Sequence, residues 1–241
     1  MAEENQVAEE QTSNPSEPVT QEVNWKESLP DDLRDNPSLK SIQDVPGLAK
    51  SFIHAQKMVG ADFIVAQGIE AGGHRGVFNQ ENLDEKIKLD NLINKILENV
   101  SLPVVAAGGI MEGKHIKRVL KIGAKAAQLG TAFLTCDEAG TSKIHKYYLL
   151  NEQKRKTKIT KAFSGRMARG INNKFIEEMT GKKIFPFPIQ NTVTMPLRKV
   201  SQNKNNGEFI NLWAGTNFNK VRDLSAKELI QRLSEEFNAV I

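Results

Sequence analysis

Three short apolar runs, each closing on glycine, place the tightest limit on what this chain can fold into. Phe63-Ile64-Val65-Ala66 leads into Gln67-Gly68. Pro103-Val104-Val105-Ala106-Ala107 leads into Gly108-Gly109, and Ala126-Ala127-Gln128-Leu129 into Gly130-Thr131. Short, mostly apolar runs bounded by turn residues predict buried strands rather than helices. Helical patterns separate the runs. Leu48, Phe52, Ala55 and Val59 share one face of a helix ending at Gly60. Asp84 to Val100 sets Ile87, Leu92, Ile93, Ile96 and Leu97 on an apolar side, and Lys114 to Ile122 is a shorter helix capped by Gly123. Helix and strand alternate at about 20–40 residues per unit, the rhythm of a parallel sheet with covered faces.

After Cys136 the rhythm breaks. Residues 138–180 read as helical, around Ile144, Tyr147, Tyr148 and Leu149 and then from Phe163 to Met179. Phe185-Pro186-Phe187-Pro188 reads as an extended linker, since each proline disfavours helix before it. Residues 201–207 read as a polar loop. Ser225 and Glu228 form a capping box for a last helix that buries Leu229, Leu233 and Phe237.

The charge of +4 is uneven. Residues 1–24 hold six glutamates and no Lys or Arg, with almost nothing to bury. Such a segment cannot offset its ordering entropy and is expected to be disordered. In the basic remainder, Lys154-Arg155-Lys156-Thr157-Lys158 is expected to be a solvated helix face. No aromatic interleaving or finger spacing accompanies it, which argues against nucleic acid. No apolar run has the length of a membrane span. One cysteine, Cys136, excludes an internal disulfide and a cysteine-cluster metal site, so a cytoplasmic setting is expected. His54, His115 and His145 lie on predicted helices without glycine neighbours and read as surface or packing residues.

Two stretches carry candidate chemistry. Gly72, Gly73 and Gly76 surround His74 just past the end of the first strand, where barrel enzymes keep their reactive groups. The same pattern fits a plain solvent-exposed turn equally well. The second signal is the pair of turns at Gly108-Gly109 and Gly130-Thr131. Backbone N–H groups there, with the Thr131 hydroxyl, suit the phosphate of a cofactor.

Gln67 to Gly76, then Pro103 to Ile110 and Gln128 to Phe133, resemble the nitronate monooxygenase family in order and spacing. Phe163 to Gly170, Met195 to Arg198 and Leu212 to Gly215 resemble its C-terminal part, so the likeness covers roughly residues 60–241. The resemblance implies a (β/α)₈ barrel that binds FMN and oxidises alkyl nitronates or nitroalkanes with O₂ to a carbonyl compound and nitrite. It implies FMN contacts from Gln67, Gly72, Gly109, Gln128, Leu129, Gly130 and Thr131. It places His74 over the flavin beside the substrate, with Ser164 near the same pocket. FMN-dependent enoyl-acyl-carrier reductases share the Gly-Gly-His loop and stay open as an alternative.

A (β/α)₈ barrel takes about 250 residues. Here only three βα units precede the C-terminal segment. The expected fold is therefore α/β, a partial TIM-type barrel holding the last three units, at residues 61–137. A mostly helical segment, 138–241, packs on it. Before it come the acidic tail, 1–24, and a helical segment, 25–60. Within the latter, Trp25 to Pro30, Asn36 to Leu39 and Gly47 to Gly60 resemble the start of phage capsid-assembly, scaffolding-like proteins. That suggests a rearranged gene. It leaves two further expectations: a second chain that completes the barrel, or a non-catalytic remnant with an assembly role.

Overall fold

The computed structural model describes Glu27 and residues 60–77 and 86–239. The chain divides into two units, Met1–Gly60 and Ala61–Ile241. The acidic tail, the Leu48–Val59 helix, His54 and the capsid-like segment apart from Glu27 and Gly60 lie outside the described residues.

The second unit opens with strand β1 (Ile64–Gln67) and a two-residue strand β2 (Gly73–His74). Helix α1 (Leu89–Leu97), strand β3 (Val104–Ala107), helix α2 (Gly113–Ile122) and strand β4 (Ala126–Gln128) follow. The sheet order is β1-β3-β4, all parallel. This is the βα rhythm read from the glycine-closed runs. Leu89 and Ile93 of α1 and Val119 of α2 pack on Ala66, Val104 and Ala106 in one buried cluster. Each large side chain of that cluster contributes on the order of 1.5–3 kcal/mol by leaving water. Gly123 ends α2 as expected, its N–H reaching the Leu120 and Val119 carbonyls.

Side chains alternate across a strand, so one face of this sheet is committed to the helices. The other face carries Val65, Val105 and Ala126, which sit side by side in register. These strands were expected to be buried. Phe63 is instead 54% exposed and Val65 44% exposed. The helix-covered face is closed, and the opposite face is apolar and open among the described residues. Two positions further along the same face, Gln67, Ala107 and Gln128 align in register at the C-terminal ends of the strands.

The region from 138 to 180 departs from its helical expectation. Helix α3 (Lys143–Asn151) is present, but strands β5 (Thr157–Thr160) and β6 (Ala168–Ile171) follow, and only Lys174–Glu178 (α4) is helical thereafter. β5 and β6 pair antiparallel, and β6 pairs with β2 through Gly73↔Arg169 and His74↔Ala168. The basic run 154–158 therefore lies in a turn and a strand, not on a helix face. Arg155 within it is paired with Glu152 and Glu208. The next helix, α5 (Ile189–Asn203), takes in part of the stretch expected to be a polar loop. The last helix, α6 (Ala226–Ala239), starts on the expected capping box. Glu228 Oε2 accepts from the Ser225 N–H, and Ser225 Oγ accepts from the Glu228 N–H. Leu229 and Leu233 are buried as expected, whereas Phe237 is only half-buried.

Candidate active site

The β1–β2 loop is tied down by side chains that reach back to its own backbone. The Gln67 amide donates to the His74 carbonyl at 3.0 Å, and its oxygen accepts the Gly76 N–H at 2.8 Å. Buried Arg75 donates to the Gly68 carbonyl at 2.7 Å. Arg169, from β6, donates to the Ile69 carbonyl at 2.9 Å. The Glu70 carboxylate accepts the Leu89 N–H at the start of α1, where negative charge complements the helix dipole. A glycine-rich loop held by this many bonds is a fixed turn, and His74 at its end is nonetheless exposed to solvent.

The loop packs on residues 213–217. A Cβ on Gly72 would come within 2.5 Å of the Ala214 carbonyl carbon and 2.6 Å of the Gly215 nitrogen. The Thr216 N–H donates to the Glu70 carbonyl, and Asn217 donates through Nδ2 to the Gly109 carbonyl at 2.7 Å. The glycine turns at 72, 108–109 and 215 thus interlock, and a cleft opens between them. Gln67, Gly72, Gly109, Gln128, Gly130 and Thr131 all line it, with Gly108, Ile110, Met111 and Gly215 among their neighbours. Leu129 is the exception in the expected set. Its side chain packs against both core clusters instead.

The cleft lining contains no ionisable side chain. Its polar groups are amides, a hydroxyl and backbone. The N–H groups of Gly109, Ile110 and Gly130 take no acceptor among the described residues. Gly108 and Gly109 sit at φ +126° and +66°, backbone that residues with a Cβ rarely adopt. Thr131 Oγ1 accepts the Gly215 N–H at 3.0 Å, leaving its own proton to donate. A Cβ on Gly130 would meet nothing within 4 Å. This donor set, uncharged and backbone-rich, fits the phosphate of a nucleotide. The cleft measures about 130 Å³, short of the roughly 300–1,000 Å³ of a ligand pocket. It accommodates a phosphate-sized group; the described residues do not enclose a flavin ring.

His74 is not itself in the cleft lining; its backbone carbonyl accepts from the Gln67 amide, and Gln67 lines the cleft. His74 Nε2 is 2.8 Å from Ser164 Oγ, so the structure brings these two expected residues together. The Trp213 ring meets the imidazole edge-on, with centroids 5.5 Å apart. Partial burial, and then the Arg166 cation, lower the His74 pKa. The ring is accordingly neutral near neutral pH.

Two further histidines are packing residues, as expected. His145 is held near the core, with a hydrogen bond to the Trp213 backbone, and burial lowers its pKa to about 4. His115 Nδ1 accepts the Met111 N–H beside the cleft, and its other nitrogen faces Glu112. Among the described residues no cluster of His, Cys, Asp or Glu could hold a metal ion, and no helix is long and apolar enough to cross a membrane. Cys136 is buried, and that burial raises its pKa.

The reading from residues alone missed Gly215 and Met111 in the cleft wall and Trp213 against His74. In the sequence only the family likeness marks Leu212-Trp213-Ala214-Gly215. Nothing in its composition marks a segment that crosses between two sheets.

The family model for nitronate monooxygenase matches residues 44–236, and so begins inside the segment 25–60. A protein named "Probable nitronate monooxygenase" from Staphylococcus saprophyticus is 38% identical over 191 residues, and one from Staphylococcus aureus is 40% identical over 190. Each alignment covers 78% of this chain and 54% of the relative. The chain spans about half the length of the curated relatives it matches. Among solved structures, a nitroalkane oxidase from Streptomyces ansochromogenes superposes with a TM-score of 0.74 at 39% identity, over 78% of this chain and 55% of that one. FabK from Thermotoga maritima gives 0.62 at 26%, over 78% and 58%.

Proposed function

The chain belongs to the nitronate monooxygenase family, and on that premise we propose that it carries the phosphate-binding and histidine side of an FMN-dependent site that oxidises nitronates or nitroalkanes with O₂. One observation supports this most. A neutral, Ser164-anchored His74 stands next to a cleft whose free N–H groups suit a phosphate.

Gly109, Ile110, Gly130 and Thr131 would hold the phosphate, and Gln67 and Gln128 would reach the cofactor from the strand ends. FMN, when bound, supplies the redox chemistry with O₂. The protein's own contribution is proton handling and position. A neutral imidazole can take the proton on the carbon next to a nitro group, because its pKa lies near working pH. For a nitronate, already deprotonated, His74 would hydrogen-bond the nitro oxygens instead. The Arg166 charge beside the ring favours the anionic product and disfavours a permanently charged histidine. The Trp213 ring packs edge-on against the imidazole on one side.

The fold part of the proposal is a partial barrel. Parallel sheets are covered on both faces, and the Val65, Val105 and Ala126 face is open among the described residues. Strands from outside those residues would close it and enclose the flavin ring. A second chain carrying them is one source. The enoyl-acyl-carrier reductase reading draws support from the FabK likeness, at lower identity than the nitroalkane oxidase.

The test is turnover of a neutral nitroalkane and of its pre-formed nitronate, followed by nitrite release, for the wild type and His74→Ala. The neutral substrate is expected to lose on the order of 10²–10⁴-fold, the usual worth of a positioned base. The nitronate is expected to lose less, since no proton leaves carbon. Equal rates on the neutral substrate would end the assignment of His74. NADH oxidation with an enoyl thioester and none with nitronate would move the site to the reductase reading.

A further inference from the structure

We propose that Ser164 is a positioning residue that fixes the tautomer of His74, so that Nε2 carries the ring proton and Nδ1 is the nitrogen open to accept one. The proposal deepens the reading of His74 as a base and rests on it.

Ser164 is buried, and its Oγ has three polar neighbours. The Arg166 N–H and the Arg166 carbonyl oxygen each lie 3.2 Å away, and His74 Nε2 lies at 2.8 Å. A serine hydroxyl has one proton to give and two lone pairs to receive with. The Arg166 N–H can only donate, so it occupies one lone pair. The hydroxyl proton then has two destinations.

If it goes to Nε2, the ring proton must sit on Nδ1. The imidazole then offers no lone pair to a carbon acid, and the Arg166 carbonyl loses this donor. If it goes to the Arg166 carbonyl, Nε2–H donates to Oγ. All three contacts are then satisfied, against two in the first case. Buried polar groups settle into the arrangement that pairs more of them. Nδ1 has no partner among the described residues, so its lone pair is the one available.

The backbone holds both ends of the contact. On the Ser164 side, Gly165 sits at φ +83°, and a Cβ there would come within 2.6 Å of the Phe185 carbonyl oxygen and the Phe187 nitrogen. The Gly165 N–H donates to the Lys161 carbonyl at 2.8 Å. On the other side, His74 pairs with Ala168, and the Arg75 N–H donates to the Met167 carbonyl. The reaction step then needs no rearrangement. The proton leaves carbon for Nδ1, the C–H electron pair stays on the substrate as the nitronate, and the imidazolium keeps Nε2–H on Ser164. Arg166 is the charged group facing the ring.

The test is a long-range ¹H–¹⁵N correlation spectrum of the imidazoles, recorded on the full chain well above the ordinary histidine pKa. His74 is assigned by the loss of its signals in His74→Gln. No flavin or substrate is present, so the outcome is independent of cofactor binding, which a flavin titration reads separately. The expected wild-type spectrum has a pyridine-type Nδ1 and a pyrrole-type Nε2. In Ser164→Ala both nitrogens should shift toward a common averaged position, with the remaining amide spectrum unchanged. A wild-type ring protonated on Nδ1 would overturn the proposal, and that spectrum decides it even if Ser164→Ala fails to fold. Unshifted nitrogens in a folded Ser164→Ala would overturn it too.

Discussion

Alanine at Gly72, Gly73 and Gly130 should separate three glycines that look alike in the sequence. At Gly72 the new Cβ would press on the Ala214 and Gly215 backbone at 2.5–2.6 Å. That backbone cannot simply yield, because Ala214 N–H, Gly215 N–H and Thr216 N–H are bonded to Arg169, Thr131 and Glu70 in turn. Overpacking of this kind costs about 1–3 kcal/mol, and loosening one of those hydrogen bonds about 1 kcal/mol more. The expected total for Gly72→Ala is about 2–4 kcal/mol, a fall in Tm of roughly 5–15 °C for a unit of this size. Gly73 sits at φ +78° with nothing within 4 Å of its Cβ position. Gly73→Ala meets only backbone strain, about 1–2 kcal/mol. Gly130 has open space and a negative φ, so Gly130→Ala should stay within about 0.5 kcal/mol of wild type. Its methyl group enters the cleft, and its effect belongs to ligand binding. Urea titration of the three variants gives the ranking through their midpoints. A Gly130→Ala loss as large as that of Gly72→Ala would refute the packing argument.

Two other outcomes follow from buried polar groups. His145 is neutral in the fold down to about pH 4, whereas an unfolded histidine protonates near 6.5. Above pH 6.5 it is neutral in both states and adds no pH dependence to stability. As the pH falls from 6.5 toward 4 the unfolded chain takes up a proton the fold refuses, and stability should drop by up to about 3 kcal/mol. His145→Gln should flatten that part of a stability–pH curve; an unchanged slope would contradict it. Asn173 donates to the Gly207 and Ile210 carbonyls and caps α4 through the Ile176 N–H. Asn173→Ala should cost about 2–4 kcal/mol in a urea titration, from the lost cap and the stranded buried carbonyls; a loss under about 0.5 kcal/mol would show that water replaces them.

The parallel half of the fold was legible because its signals are local. Each strand is a short apolar run closed by glycine, and each helix has its own apolar side. The antiparallel sheet was not legible for the opposite reason. Thr157-Lys158-Ile159-Thr160 alternates with the period of a strand, but it sits in a basic run that reads as surface helix. Ala168-Arg169-Gly170-Ile171 has little strand propensity of its own. It is held by β2, by β5 and by the Leu212 carbonyl, which accepts the Ile171 N–H. α5 was missed because Gln, Asn, Thr and an internal Pro196 make a poor helix by composition. The site divides in the same way. The glycine turns could be named from the sequence, and six of the seven cofactor positions meet at one cleft. The meeting of His74 with Ser164 could not be derived from spacing. It spans 90 positions and depends on the β2–β6 pairing.

On the proposed reading, backbone N–H groups at Gly109, Ile110 and Gly130 that take no acceptor among the described residues would receive a cofactor phosphate. Titrating the full chain with FMN and, in parallel, with riboflavin tests it most directly, because the two ligands differ only in that phosphate. Hydrogen bonds to a charged group contribute about 1.5–3 kcal/mol each. FMN should therefore bind at least roughly tenfold more tightly than riboflavin, and Gly130→Ala should narrow the difference. Equal affinity for the two flavins, or no binding of either, would contradict the account.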